Sequence, residues 1–465
     1  MKNLIVCVLF LFFFRNENFI YPQKIEWSDI ISFSYFNNRG YDVLQKICDE
    51  VGGRLAGTAA NEKAIQVLIE EGKKDNLQIE REDFEFPGWI RQNDSVVLKF
   101  PFEKLIRCVA LGFNNPENII EAQVVFANYG YEEDYENLDV KNKIVLVTQE
   151  RPKNKEELLR YEAIEVASRK GAKAILFMND KPGGLVLAGV GNFQGNPNPI
   201  PAFSITYEDG QMLKRQLEKG IVPIVAIKSN SFCKPSKSSN LVLKILGRDS
   251  KKIVVGGHFD SWDISQGAVD NGVGIAVLYE IARNLSRYDN YNYTIEIVWF
   301  NAEELGLWGS KRYVEKHKDE VAVMINLDMP GDPTGFNTMG FNSLDSIANR
   351  IVKSLNGFNL KDGVVSHPWT NSDHMHFIFE GIPSITTLGW MDESMYHHYH
   401  DFGDTFEKVN KKYISNSAGI VSILVFELAN SSFNFIRINR EEVIELLKKN
   451  GLDKRLKKQK EWKFD

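Results

Sequence analysis

The sequence predicts an α/β fold, a mostly parallel sheet with helices on both faces into which a separate α/β unit is inserted. From about residue 240 onwards, short apolar strands alternate with helical segments, and such alternation is typical of a parallel sheet covered on both sides. Between about 100 and 240 the pattern changes to short strands, one helix and a long loop rich in Gly, Pro and Asn. A chain of 465 residues also exceeds the size of one compact core.

The predicted elements follow in order along the chain. Strands of the main sheet are expected at Leu241–Ile245, Ile253–Gly257, Thr294–Asn301, Ala322–Leu327 and Ser384–Leu388. Helices are expected at Gly272–Leu285, Leu307–Lys316, Ser343–Leu355 and Ile414–Ala429. Apolar residues at helical spacing from Tyr41 to Ile69, broken by glycines, predict two helices joined by a turn. The insert is expected to hold strands at Gln123–Ala127, Lys143–Val147 and Ala174–Phe177 and a helix at Leu158–Lys170.

The first residues predict an export signal. Lys2 precedes an apolar run from Leu4 to Phe14, which is about half of the roughly 20 residues that a membrane-spanning helix needs but suits a signal peptide. We therefore expect export, to the outside, the periplasm or an endomembrane lumen, and no stable membrane span. The predicted division is a signal peptide at 1–20, the main domain at 21–100 and 241–435, the insert at 101–240, and a C-terminal helix with a basic tail at 436–465.

Charge and cysteine content exclude some classes of protein. The net charge of −6 gives no basic field for nucleic acid. A local basic cluster near the end is interpreted as a solvated helix face or frayed tail, with contact to an anionic surface as the alternative; it comprises Lys454, Arg455, Lys457, Lys458, Lys460 and Lys463. After signal removal Cys48, Cys108 and Cys233 remain, enough for at most one disulfide.

Metal-ligating residue types follow the predicted strands of the main sheet. His258 follows Ile253–Gly257, Glu303 and Glu304 follow the strand that begins at Thr294, and Asp328 follows Ala322–Leu327. Asp270 comes twelve residues after His258, and His400 lies beyond Ser384–Leu388. Ligands of such sheets gather at the carboxyl ends of the strands. Imidazole and carboxylate groups are standard zinc ligands, so the pattern predicts a zinc site without a thiol.

Five ligands exceed what one tetrahedral catalytic ion can use, but they fit two ions that share a carboxylate and a water. Asp270 is the natural bridging carboxylate. One acid must stay free to take a proton from the water, and in the Glu303–Glu304 pair one side chain can bind zinc while the other acts as general base. The sequence leaves open which does which. Each residue alone would have an ordinary structural role, but burying several acids without a metal costs several kcal/mol each.

The chain resembles the zinc peptidases of the aminopeptidase and glutamate-carboxypeptidase type. The resemblance is carried by Val51–Gly57, Gly256–Asp263, Gln266–Asp270, Ala302–Glu304 and by His400 with Asp404–Thr405. It implies a zinc exopeptidase fold with a protease-associated insert. By resemblance the ligands of two zinc ions are His258, Asp270, Glu304, Asp328 and His400, with Glu303 as the base and Asp260 orienting the metal site. Ser372, Asp373 and His374 are expected to shape the substrate pocket, and His398 stays open as an alternative to His400.

The function that the resemblance implies is an exopeptidase that hydrolyses dipeptides or short peptides through a zinc-bridging hydroxide and a glutamate base. A homodimer is also expected. The first alternative is an aminopeptidase for longer peptides, and access to the cleft decides between the two. A single-zinc glutaminyl cyclase and a non-enzymatic receptor-like binding module are more remote, because all five ligands are present.

Overall fold

The computed structural model of the chain describes residues 26–464, so the predicted signal segment lies outside the described residues. The helices are α1 Trp27–Phe36, α2 Gly40–Glu50, α3 Ala59–Lys74, α4 Arg160–Arg169, α5 Tyr207–Glu218, α6 Val273–Leu285, α7 Trp308–His317, α8 Asp345–Ser354, α9 His374–Phe379, α10 Glu393–His397, α11 Lys411–Ala429, α12 Arg440–Lys449 and α13 Leu452–Lys458. The strands are β1 Glu80–Ile90, β2 Ser95–Phe100, β3 Lys104–Ile106, β4 Cys108–Ala110, β5 Glu117–Phe126, β6 Ile144–Thr148, β7 Ala174–Met178, β8 Ala202–Ile205, β9 Ile224–Ser229, β10 Phe232–Ile245, β11 Asp249–His258, β12 Tyr293–Phe300, β13 Val321–Asn326, β14 Asp332–Asn337, β15 Gly363–Val365 and β16 Ser384–Trp390.

The main sheet has the strand order β1-β10-β12-β11-β13-β16-β14-β15 among the described residues. Its centre, β12-β11-β13-β16, is parallel. On one side β10 pairs antiparallel with both β12 and β1, and on the other side β14 pairs antiparallel with β16. Central parallel strands are covered on both faces and are therefore apolar throughout; every residue of β12 is buried. The carboxyl ends of β11, β12 and β13 meet at one edge.

Alternate residues of the central strands pack into two different cores. Val255 and Ile297 belong to a large core with residues of α6 and α11, while Val254 and Val298 belong to a smaller core with Tyr313 of α7. This alternation follows from the two-residue period of a strand. The helices therefore cover both faces of the sheet, as the sequence predicts.

A second sheet, with the order β3-β2-β9-β5-β6-β7-β8-β4, is built from the chain between β1 and β10. Its strands β5, β6, β7 and β8 run parallel to one another. The chain enters and leaves this unit through the long antiparallel pair of β1 and β10, in register from Glu80 opposite Val242 to Ile90 opposite Phe232. That two-stranded ribbon holds the inserted unit beside the main sheet.

Two findings concern expectations about the membrane and the cysteines. None of the helices between residues 26 and 464 has the length and apolar character needed to cross a membrane. Cys48, Cys108 and Cys233 are free thiols in the structure, and Cys48 is buried, which raises the pKa of its thiol to about 12. Among the described residues, these three cysteines therefore form no disulfide with one another.

Candidate metal centre

Two imidazoles and three carboxylates converge at the carboxyl edge of the main sheet. His258, the last residue of β11, has its Nε2 3.2 Å from Asp270 Oδ1 and 3.5 Å from Asp328 Oδ1. His400 has its Nε2 3.0 Å from Asp270 Oδ2 and 3.3 Å from Glu304 Oε2. Asp270 therefore lies between the two imidazoles and turns one oxygen toward each.

Hydrogen bonds at the other ring nitrogens orient both imidazoles. His258 Nδ1 lies 3.1 Å from the carbonyl oxygen of Asp260, and His400 Nδ1 lies 3.3 Å from the carbonyl oxygen of Ala188 in the insert. A protonated Nδ1 donates to these carbonyls and leaves Nε2 with a lone pair for a metal. The Asp260 carboxylate accepts from the Glu303 backbone N–H at 3.1 Å, so Asp260 positions two parts of the centre at once.

The loop that carries Asp270 is held by two residues to which the sequence analysis gave no role. Asp404 accepts hydrogen bonds from the backbone N–H groups of Val269 (2.7 Å) and Asp270 (3.0 Å). Arg54 is fully buried; it donates to the carbonyl of Phe259 at 2.6 Å and to those of Gln266 and Gly267 at 2.8 and 3.0 Å. In the sequence analysis Asp404 is named only among the residues that carry the family resemblance. The sequence signal that could have identified Arg54 is its position as the charged residue of the glycine-rich turn at 52–57.

The electrostatics of the centre show an excess of acids over protein cations. Burial, reinforced by Glu304 and Asp328, raises the pKa of Glu303 well above its usual value. For His400 burial opposes the charged form, yet Glu304 and Asp270 outweigh it and raise its pKa to about 10. Glu304 Oε1 and Asp260 Oδ2 are buried without a hydrogen-bond partner among the described residues. Buried acceptors of this kind are costly unless a cation compensates them.

The donor set fits zinc. His258, Asp270 and Glu304 each offer a ligand atom, and the three atoms lie within 4.8 Å of one another. Nitrogen and carboxylate oxygen ligands are those that zinc takes in catalytic sites, and the orphaned oxygen of Glu304 gives such an ion a partner.

A cleft of about 650 Å³ opens in front of these residues. Glu303, Glu304, Trp262 and His400 line one side, and Arg160 with the segment around Ala188 lines the other. The ring of Tyr399 stacks on His400 at 3.8 Å. The cleft therefore lies between the main domain and the insert, with the candidate metal centre in its floor.

The residues expected to shape the substrate pocket lie inside the fold next to the cleft lining. Ser372, Asp373 and His374 are fully buried and do not line the cleft, whereas Thr370 and Asn371 just before them do. The reason is that the chain turns inward at this point: Ser372 accepts from Asn326 inside the sheet, 2.9 Å away. His398 also faces elsewhere, with its Nδ1 3.3 Å from Asp401.

Comparisons with known proteins agree with this fold. Residues 240–425 match the model of peptidase family M28, and residues 120–213 match the PA domain. The chain is 28% identical over 412 residues to carboxypeptidase Q from Homo sapiens, with 84% of this chain and 86% of that protein covered. It is 29% identical over 401 residues to aminopeptidase YwaD from Bacillus subtilis (strain 168), with 83% and 84% covered. BSAP, a zinc aminopeptidase from Bacillus subtilis, superimposes with a TM-score of 0.68 at 25% identity, covering 86% of this chain and 97% of that chain.

The fold and the matched regions define a zinc metallopeptidase with an exopeptidase fold. Within that class, the chain carries a peptidase M28 domain at residues 240–425 and an inserted PA domain at residues 120–213.

Proposed function

We propose that this chain is a di-zinc exopeptidase that hydrolyses dipeptides or short peptides with a free carboxyl terminus. The observation that carries the proposal is the position of Asp270, whose two oxygens lie 3.2 and 3.0 Å from the Nε2 atoms of His258 and His400. Asp328 stands beside the first imidazole and Glu304 beside the second. Each of two zinc ions would be held by one histidine, one unshared acid and the shared Asp270.

Bound zinc supplies Lewis-acid polarisation of the scissile carbonyl and lowers the pKa of a bound water. Glu303 is the proposed general base, because it lines the cleft next to the ligand set and is held by the hydrogen bond from its backbone N–H to Asp260. Its carboxylate takes the proton from the attacking water as the new C–O bond forms. The same carboxyl then delivers the proton to the amine nitrogen as the C–N bond breaks.

Arg160 supports a substrate with a free carboxylate. Its guanidinium lies in the cleft and donates hydrogen bonds to the carbonyls of Leu187 and Ala188, both at 3.2 Å. With the Gln149 side-chain amide oriented so that its oxygen faces Arg160, that oxygen accepts a hydrogen bond from Arg160 Nε at 2.9 Å. All of these acceptors are neutral, and no carboxylate among the described residues pairs with it. Burial lowers its pKa to about 10, so the group stays charged at neutral pH. A partly buried cation without a counter-ion matches a carboxylate ligand.

The second candidate is an aminopeptidase for longer peptides. A relative named aminopeptidase matches this chain as closely as carboxypeptidase Q does, so the names of the relatives do not separate the two substrate classes. Export and a homodimer stay predictions.

The test is a cleavage assay of the zinc-loaded full chain read by mass spectrometry, with metal content measured on the same sample. The substrates are one free dipeptide, its N-acetyl form, its C-terminal amide and a tetrapeptide with the same first two residues. We expect two zinc ions per chain and cleavage of the free dipeptide alone. Equal rates for the amide and stepwise trimming of the tetrapeptide would establish the aminopeptidase instead. One zinc at saturation would contradict the paired site.

A further inference from the structure

The last described residues form a segment, 452–464, that we call the C-terminal strap. Its apolar side is anchored in the main domain: Leu456 is fully buried in the large core. The ring of Phe464 lies 5.5 Å from that of Phe379, and Lys463 pairs with Glu380 at 2.9 Å. The strap is therefore fixed to the main domain and has a defined position.

The basic side of the strap faces the insert. Four residues of the basic cluster, Lys454, Arg455, Lys458 and Lys460, pair with acids in and just before α4. The nitrogen–oxygen distances are 3.2 Å for Lys454–Glu156, 3.5 Å for Arg455–Glu157, 3.8 and 3.7 Å for Lys458 with Glu156 and Glu162, and 3.7 Å for Lys460–Glu165. The anionic surface that this basic cluster meets belongs to its own chain.

Hydrogen bonds to the backbone add to these ion pairs. Lys458 donates from Nζ to the carbonyl of Glu157 at 2.7 Å, and the Tyr161 hydroxyl donates to the carbonyl of Lys458. Gln194, in the loop of the insert rich in Gly, Pro and Asn, donates to the carbonyl of Gln459. The strap thus contacts two separate segments of the insert and bridges the two units.

The bridge lies at the cleft. Arg455, Gln459 and Glu461 of the strap line the same cavity as Glu303 and His400. Its partners Glu157 and Tyr161 flank Arg160 in the chain. The strap therefore stands at the end of the cleft where the Arg160 guanidinium, which has no carboxylate partner among the described residues, lies.

We propose that the C-terminal strap sets the upper length of the substrate by closing the cleft beyond Arg160. This rests on the proposed function, in which Arg160 holds the free carboxylate of a short peptide. A peptide that continues past that residue has to displace the strap from the insert. Exposed ion pairs are individually weak and screened by salt, so weakening several of them opens this end of the cleft while the anchored apolar side stays in place.

Charge reversal on each side of the bridge tests the proposal in the full, zinc-loaded chain. The first variant combines Lys454→Glu with Lys460→Glu, two exposed positions outside the cleft lining. The second combines Glu156→Lys with Glu165→Lys, and the third joins all four changes and restores both pairs in the opposite sense. The matched control, Lys99→Glu with Lys237→Glu, removes the same charge from exposed pairs elsewhere. The readout is kcat/KM for a free dipeptide and for tripeptides and tetrapeptides that extend it at the carboxyl end.

We expect the first two variants to raise the tripeptide-to-dipeptide ratio of kcat/KM about fivefold to tenfold, the size expected from disrupting two exposed pairs. The fourfold variant should return the ratio part of the way to the wild-type value, because both exchanged pairs re-form while Lys458 loses its Glu156 partner; a general loss of stability would give no such return. Raising salt should increase the wild-type ratio more than the ratio of the first variant. An unchanged ratio, an equal change in the control, or no return in the fourfold variant would overturn the proposal. Failure of the wild type to cleave the dipeptide would instead overturn the proposed function.

Discussion

Two buried glutamates in this molecule, Glu71 in α3 and Glu304 behind β12, have opposite surroundings. They are equally inaccessible, with exposed fractions of 4% and 7%. The Glu71 carboxylate has three cations around it: Arg39 at 2.8 Å, Lys46 at 2.8 Å and Lys74 at 2.6 Å. Glu304 meets only His400 through one oxygen, and its other oxygen has no partner among the described residues.

The pKa values of the two carboxyls follow this difference. Burial would raise the pKa of Glu71, but Lys46 and Lys74 outweigh burial and hold it at about 2. For Glu304 burial dominates and the pKa is raised. The fold supplies three cations to the Glu71 carboxylate, which therefore stabilises the protein. It leaves the Glu304 carboxylate without a full set of partners, so that Glu304 is placed to bind a cation from solution.

The largest expected effect separates the two adjacent glutamates of the centre. Glu303→Gln removes the proposed base without touching a proposed ligand, so zinc content should stay at the wild-type level. Dipeptide turnover should fall about a hundredfold to ten-thousandfold, the usual contribution of general acid–base catalysis. Metal content by mass spectrometry and kcat on the same sample check this. A fully metal-loaded Gln variant with wild-type turnover would remove Glu303 from the mechanism.

The next effect concerns the shared carboxylate. Asp270→Asn keeps the size of the side chain but removes the charge between His258 and His400, so zinc affinity should fall about tenfold or more. Zinc retention during dialysis against a chelator measures it, with the exposed Asp319→Asn as matched control, since its side chain is 91% accessible. Two zinc ions held by the Asn variant as tightly as by the control would contradict a bridging role.

Most of the main sheet and the chemistry at its edge could be predicted because both follow local patterns. The buried parallel strands are continuous apolar runs, and His258, Glu304 and Asp328 lie at or within four residues of their carboxyl ends. β14 was missed because Asp332–Asn337 contains proline, glycine and asparagine, which disfavour strands. It becomes a strand through antiparallel pairing with β16, a contact that no local pattern encodes.

The remaining parts of the site come from contacts between distant segments. Ala188 and Arg160 reach the cleft only because the insert folds back over the sheet edge, and the sequence does not say which face of the insert meets the main domain. The same holds for the basic tail, whose acidic partners lie about 300 residues earlier in the chain, as in Lys454–Glu156. Residue type predicted charge there, but only the fold shows what neutralises it.

Arg160 is the converse of Glu304, a partly buried cation without an acid partner among the described residues. Its replacement should act on substrate binding. Arg160→Gln should raise KM for the free dipeptide about tenfold to a hundredfold, the value of a lost charged hydrogen bond, with a smaller change in kcat. Arg160→Lys, which keeps the charge, should recover part of the loss. The C-terminal amide of the dipeptide is the internal control, because it offers no carboxylate. Equal losses for the free and amidated substrates would show that Arg160 only supports the cleft wall.

The smallest expected effect tests the other half of the comparison. Glu71→Gln should leave zinc content and turnover unchanged but lower stability by about 1–2 kcal/mol at pH 7, a value discounted for the partly exposed lysines. Because the folded pKa of Glu71 is depressed to about 2, below that of an unfolded glutamate near 4.3, its stabilisation is complete above pH 5 and is lost as the pH falls toward 2. The melting-temperature difference between wild type and variant, measured from pH 7 down to pH 3.5, should therefore shrink with acidification. A difference that is constant over this range would mean that Glu71 acts through packing rather than through its charge.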